Sequence, residues 1–394
     1  MNTETRSSGG LPAPTGPCAV GRAAYCWNGR QTVSTREAGG ARDLVLWIWY
    51  PAEPPPNATT AEYLPGGWAA AGEFLGFTGS AIRSHAIDDA VPASAPIRFP
   101  VLVFSPAGLP PLVLAAILEE VASHGYVVAG VNHTFESLVT VFPDGRVVPM
   151  DAELMRPVLG PLSGSPEDAF RARADIVNAK VADISFVVDR LEELAAQPAG
   201  SDRLAGRLDL ARLGCFGHSM GGDAALEHCR LDARSRAAAN LDGANWSEVG
   251  RVGVERPMLL LLADHSELQM PCQDQVRAGV YPSAAWCEAE RTLMRAGWQT
   301  LYERARPAYG MLIAGTTHAS FLDVPFLSFT DESRAAGGLA AVKIDPQRAW
   351  RITCDYLLAF FAKHLLGDDA PLLDALTPPY PEARLGAPKD LLPG

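Results

Sequence analysis

A chain of 394 residues, 48% apolar and 20% charged, carries ample core material. It exceeds the ~250–300 residues at which one core usually stops growing, a size that large α/β enzymes reach as a single domain with insertions. A formal charge of −12 argues against nucleic acid and anionic membrane surfaces as partners, and no stretch approaches the ~20 apolar residues of a transmembrane segment.

Met1 to Gly10 is polar without an apolar core, so it reads as a disordered tail rather than a signal peptide. Residues 11–394 then form one domain, and a cytoplasmic location is the expectation. Seven cysteines, an odd number without C-x-x-C spacing, argue against zinc and predict reduced thiols. A Cys272–Cys287 pair is the alternative.

Leu11 to Pro17 is a proline-rich lead-in. Cys18 to Trp27 and Asp43 to Tyr50 carry alternating and aromatic patterns around a turn, which predicts antiparallel edge strands. Residues 52–99, rich in Pro, Gly and Ala, read as an insertion near the site. Pro100 to Ser105 predicts a buried strand, Pro106 to Pro111 a breaker-rich loop, and Leu112 to His124 an amphipathic helix ended by Gly125. Tyr126 to Val131 is the next buried strand, and Val139 to Val148 a hairpin around Pro143-Asp144-Gly145. Ser165 as N-cap and Pro166 at N1 start a helix to about Ala196, with Ile176, Val181, Ile184, Val187 and Val188 inward.

Arg212 to Gly222 is the most informative stretch. Leu213 to Phe216 is a short apolar run of the kind found in buried parallel strands. Gly217-His218-Ser219-Met220-Gly221 then reads G-x-S-x-G, and Asp223 onward is a good helix former. A serine attacks well only if it projects from the backbone, so the chain must turn sharply at Ser219 between strand and helix. The helix start aims free N–H groups at the site, which suits a developing oxyanion. A glycine-rich turn without chemistry is the bland alternative.

Ala237 to Leu241 predicts a strand ending in Asp242-Gly243, and Met258 to Ala263 another ending in Asp264-His265. Residues 266–306 read as a long, partly helical insertion bearing Trp286 and Trp298. Tyr309 to Ile313 is the last predicted strand, followed by Ala314-Gly315-Thr316-Thr317-His318. A Phe-rich loop, Phe321 to Phe329, precedes a final helix capped by Asp345-Pro346. Strand and helix alternate from 100 to 366, which implies a mainly parallel sheet with right-handed crossovers and helices on both faces. Ligand sites in such sheets lie beyond the carboxyl ends of the strands, where Ser219, Asp242, Asp264 and His318 all fall.

A serine hydroxyl needs an imidazole base oriented by a carboxylate. Among eight histidines His318 alone follows the last predicted strand, which makes it the candidate base. His265 is its rival, and the His218 side chain is expected to point away. Asp242 and Asp264 both preserve the order Ser, acid, His. Either could equally be a turn-forming aspartate.

Leu102 to Leu109, Ser123-His124-Gly125-Tyr126-Val127-Val128-Ala129, Gly217 to Gly222 and Leu241-Asp242-Gly243 together resemble bacterial relatives of the plasma-type platelet-activating factor acetylhydrolases. The lead-in from Leu11 and the strand Leu46-Trp47-Ile48-Trp49-Tyr50-Pro51 share the likeness, which spans residues 11 to about 366. It implies an α/β-hydrolase fold and puts the acid at Asp242, with Asp264 as alternative. The family loop Phe-Ser-His-Gly-Leu-Gly is here Phe104-Ser105-Pro106-Ala107-Gly108-Leu109, so Gly108 or Leu109 is expected to supply one oxyanion N–H and Met220 the other. The reading is a serine esterase for short acyl esters, acting in lipid degradation without metal or organic cofactor. Acyl transfer or cyclisation on the same fold is the alternative, and a catalytically silent binding protein a third.

Overall fold

The computed structural model describes residues 10–31, 41–75, 82–160, 162–264, 271–327, 342–375 and 377–392. The tail expected over 1–10, the rival base His265 and Phe329 therefore lie outside the described residues, apart from Gly10. The strands in chain order are β1 (Ala19–Gln31), β2 (Ala41–Glu53), β3 (Ile87–Asp88), β4 (Val91–Pro92), β5 (Phe99–Ser105), β6 (Val127–Asn132), β7 (Val139–Val141), β8 (Val147–Pro149), β9 (Leu208–His218), β10 (Ser235–Leu241), β11 (Met258–Ala263), β12 (Ala308–Ile313) and β13 (Ala383–Leu385). All but the β7–β8 hairpin join one sheet, ordered β13-β12-β11-β10-β9-β5-β6-β2-β1-β3 with β4 on β2. Pairing is parallel from β12 across to β6 and antiparallel where β2, β1 and β13 extend it.

Strand alternation divides the core between the two faces. Leu102, Phe104 and Phe216 pack with the helices Ala115–Ser123 and Pro346–Phe361. Val101, Val103 and Cys215 point the other way, onto the long helix Pro166–Ala196. That helix starts as its sequence dictates: Ser165 Oγ accepts from Asp168 N at 3.1 Å, and Pro166 occupies the first turn.

Four details differ from the sequence reading. β2 is an interior strand paired with β6, because its Leu44 to Tyr50 run is buried on both faces. Half of the stretch read as an insertion after β11 is the crossover helix Ala284–Arg304, which a parallel β11–β12 pair requires. β13 closes the far edge against Met311 to Ile313. Cys272 and Cys287 are disulfide-bonded, tying the short helix Cys272–Arg277 to that crossover helix, so the expectation of reduced thiols fails for these two.

Candidate active site

β9 ends at His218 and the next residue turns the chain. Ser219 has φ 58° and ψ −130°, a conformation costly for a side-chain-bearing residue. Glycines make the turn possible. A Cβ at Gly217 would overlap the Gly221 carbonyl, and one at Gly221 would overlap the Ser105 carbonyl. The elbow is therefore packed directly on the end of β5. Ser219 is half-buried at the start of the helix Met220–Leu231, whose first-turn amides include that of Met220.

Asp242 follows β10, the strand beside β9. Its backbone N–H donates to Leu261 O at 2.7 Å, and Oδ1 accepts from Ala263 N at 2.8 Å. Oδ2 lies 2.7 Å from His318 Nδ1. The carboxylate is fully buried, whereas the imidazole is 46% exposed and open to a ligand. A carboxylate only accepts, so Nδ1 carries the proton and Nε2 is left as a base.

Asp264, the alternative acid, meets other groups. Its Oδ2 accepts from Gly315 N at 2.9 Å, and its own N–H donates to Thr316 O at 3.3 Å. These bonds tie the end of β11 to the turn that leads into His318, where Gly315 takes φ +78°. Asp242, not Asp264, holds the histidine ring in the structure.

The expectation that His218 points away from the site needs correction. Its Nε2–H donates to the His318 carbonyl at 3.1 Å, and the two rings lie 4.4 Å apart. Burial, reinforced by His318, pushes the His218 pKa down to about 3, so it packs as a neutral ring behind His318. A strand's alternation gives a side chain's face but not the distant loop that covers it.

The loop after β5 crosses the elbow. Ser105 and Pro106 carbonyls line Gly221, the Ala107 carbonyl accepts from Lys180 Nζ at 2.8 Å, and the Gly108 carbonyl accepts from Leu138 N at 2.8 Å. Near the Asp242 turn lies a cavity of about 350 Å³, walled by Trp246, Tyr281, Met294 and Trp298 with Arg173 and Arg295. Trp298 Nε1 donates to Gly243 O at 3.1 Å, which anchors this wall to the residue after Asp242. Trp286 braces the wall from outside, donating to Gly164 O at 3.1 Å. Phe321 is buried against His218, and Phe326 packs on the core. Among the described residues no three His, Cys, Asp or Glu side chains converge on a point that could hold a metal ion, and no helix is long and apolar enough to cross a membrane.

Known proteins similar to this chain are esterases. The chain is 25% identical over 298 residues to a probable 1-alkyl-2-acetylglycerophosphocholine esterase of Arthroderma benhamiae, a match covering 72% of this chain and 65% of that protein. Its fold matches a ferulic acid esterase from Streptomyces cinnamoneus with a TM-score of 0.73 at 29% identity, covering 96% of this chain and 99% of the other. The model of the family "Platelet-activating factor acetylhydrolase, isoform II" matches residues 7–371, nearly the whole chain, and the chain belongs to that family.

Proposed function

We propose that this protein is a serine hydrolase of carboxylic esters in which Ser219 is the nucleophile, His318 the base and Asp242 the orienting acid. The observation that carries the reading is the 2.7 Å contact between Asp242 Oδ2 and His318 Nδ1 at the end of the sheet that also presents Ser219 on a positive-φ elbow. Ser219 Oγ attacks the acyl carbonyl as its proton passes to His318 Nε2. The tetrahedral oxyanion is met by backbone N–H groups, and the alcohol leaves with the proton from His318. Water then repeats the sequence on the acyl-enzyme and releases the acid.

Esterase relatives support a small ester as partner, and their names span an acetyl and an aromatic acyl group. The family likeness favours short acyl chains. The cavity beside Trp246 and Trp298 favours a second reading, an aromatic acyl ester, because flat aromatic walls stack on a planar ring. The Cys272–Cys287 bond favours an oxidising compartment over the cytoplasm.

The test is a series of p-nitrophenyl esters from C2 to C12 together with methyl ferulate. Acetyl and butyryl esters are expected to be cleaved much faster than C12, with Ser219→Ala lowering kcat by several powers of ten. A fluorophosphonate probe should label Ser219. Wild-type turnover in Ser219→Ala would end the serine-hydrolase reading. Labelling without turnover of any ester would favour acyl transfer to another acceptor.

A further inference from the structure

Beneath the loop that crosses the elbow lies a closed group of buried charges. Lys180, fully buried on the helix Pro166–Ala196, sits 2.8 Å from Glu136 Oε2. Arg42 reaches Glu136 Oε1 at 2.9 Å and Asp183 Oδ2 at 2.7 Å. His133 Nδ1–H donates to Asp183 Oδ2 at 2.8 Å, and its Nε2 accepts from Ser105 O–H at 2.9 Å. Burial, with Lys180 adding to it, lowers the His133 pKa to about 4, so the ring is neutral. Two cations and two carboxylates cancel.

Such a group stabilises a fold no better than apolar residues of the same volume, and removing one member leaves a costly uncompensated charge. Its position is more telling than its energy. It touches the backbone loop from below at two places, the Ser105 hydroxyl and the Ala107 carbonyl, on either side of Pro106. From above, Gly221 closes on the Ser105 and Pro106 carbonyls. The loop is thus held by contacts at Ser105, Pro106 and Ala107.

The 107–108 peptide is trans, since the cis bonds among the described residues are at Ala95-Pro96 and Arg306-Pro307. In a trans peptide the C=O and N–H point in opposite directions. With the Ala107 carbonyl turned down to the Lys180 ammonium, the Gly108 N–H faces the other way. Leu138 fixes the following plane by its bond to the Gly108 carbonyl. We propose that Lys180 is a positioning residue for the oxyanion hole: its grip on the Ala107 carbonyl aims the Gly108 N–H at the site, opposite the N–H of Met220. A cation on the carbonyl also polarises the amide and strengthens its N–H as a donor. The proposal rests on the serine-esterase reading above, and it selects Gly108 over Leu109.

The experiment compares the full-length wild type with Lys180→Met, Lys180→Met/Glu136→Gln and Gly108→Pro. The double substitution removes the ion pair without stranding a carboxylate, and the proline deletes the donor itself. Each is measured for kcat and KM on p-nitrophenyl acetate, for a melting transition, and for inhibition by an alkyl boronic acid. In the boronate adduct a bond forms between Ser219 Oγ and boron, the serine proton passes to His318, and a hydroxyl of the anionic tetrahedral boronate occupies the oxyanion position. All three variants are expected to lose about 10²-fold in kcat with KM within about threefold, and boronate affinity should fall by a similar factor. Adding Lys180→Met to Gly108→Pro should cost little more, since both act on one donor.

A folded Lys180→Met/Glu136→Gln with kcat and boronate affinity within about twofold of wild type would overturn the proposal. So would a loss confined to KM. Retention of wild-type kcat by Gly108→Pro would place the donor elsewhere, however the Lys180 variants fold. Turnover surviving in Ser219→Ala would instead remove the esterase reading, and the proposal with it.

Discussion

Asp242 and Asp264 end neighbouring buried strands, and they meet different partners. One carboxylate lies on the His318 ring and the other on the Gly315 amide. Asp242→Asn is therefore expected to lower kcat on the order of 10⁴-fold, because an amide can donate to Nδ1 and so favours the wrong imidazole tautomer. Asp264→Asn keeps an oxygen for the Gly315 N–H and should cost less than about tenfold. The reverse ranking in steady-state kinetics would move the acid to Asp264. Both aspartates were legible as candidates because a carboxylate at a strand end is visible in the chain. The choice rested on resemblance, since it depends on how the Gly315 turn carries His318 back over the sheet. Lys180 left a fainter signal. It falls at i+4 from Ile176 and i−4 from Ile184, one of a few charges, with Arg173 and Asp183, on a largely apolar helix face, and nothing in the sequence shows which carboxylate or carbonyl it meets.

Helix and strand order from β5 to β12 could be read from apolar runs and caps, since Ser165, Pro166 and Asp345 act locally. β13 could not, being three residues among prolines whose pairing with Met311 to Ile313 is entirely non-local. The helix Ala284–Arg304 was obscured for another reason. Its inward face includes Glu290 and Arg291, and Arg173 of another helix pairs with Glu290. Charges facing a cavity break the apolar stripe that marks a helix. That helix and the disulfide hold the Val280–Tyr281 segment against the cavity. Cys272→Ser/Cys287→Ser is expected to raise KM for methyl ferulate severalfold while leaving p-nitrophenyl acetate turnover within about twofold. Equal changes on both esters would show that this wall does not contribute to selection. Trp246→Ala should likewise weaken the aromatic ester more than the acetate.

Over the whole molecule, buried titratable groups set the pH range of stability. Burial lowers His133 to about 4 and His218 to about 3 from an ordinary 6.5. Between those values the unfolded chain binds protons that the folded chain refuses, so stability is lost as pH falls below 6.5. Burial raises Asp323 to about 8 and Asp223 to about 7 from 3.8. There the folded chain keeps protons that the unfolded chain has released, and stability declines as pH rises toward 8. Above pH 6.5 the two histidines no longer contribute while the raised aspartates still do, so Tm is expected to fall by a few degrees between pH 6.5 and 8.5. Asp323 accepts from Tyr63 O–H at 2.9 Å and Ala116 N at 3.1 Å, with Glu119 nearby. Asp323→Asn should flatten part of that fall in calorimetric scans. A level wild-type profile would contradict the burial argument.

The chain has four lysines, and three of them, Lys343, Lys363 and Lys389, are exposed or half-buried near the C-terminal end of the sequence. Lys180 is sealed inside the core. Amine-directed reagents should therefore modify the three quickly and reach Lys180 only when the protein opens. The slow acylation of that one amine, followed by peptide mass spectrometry, becomes a clock for opening of the core around the loop after β5. It requires no engineered label, and a bound ligand that closes the site should slow it.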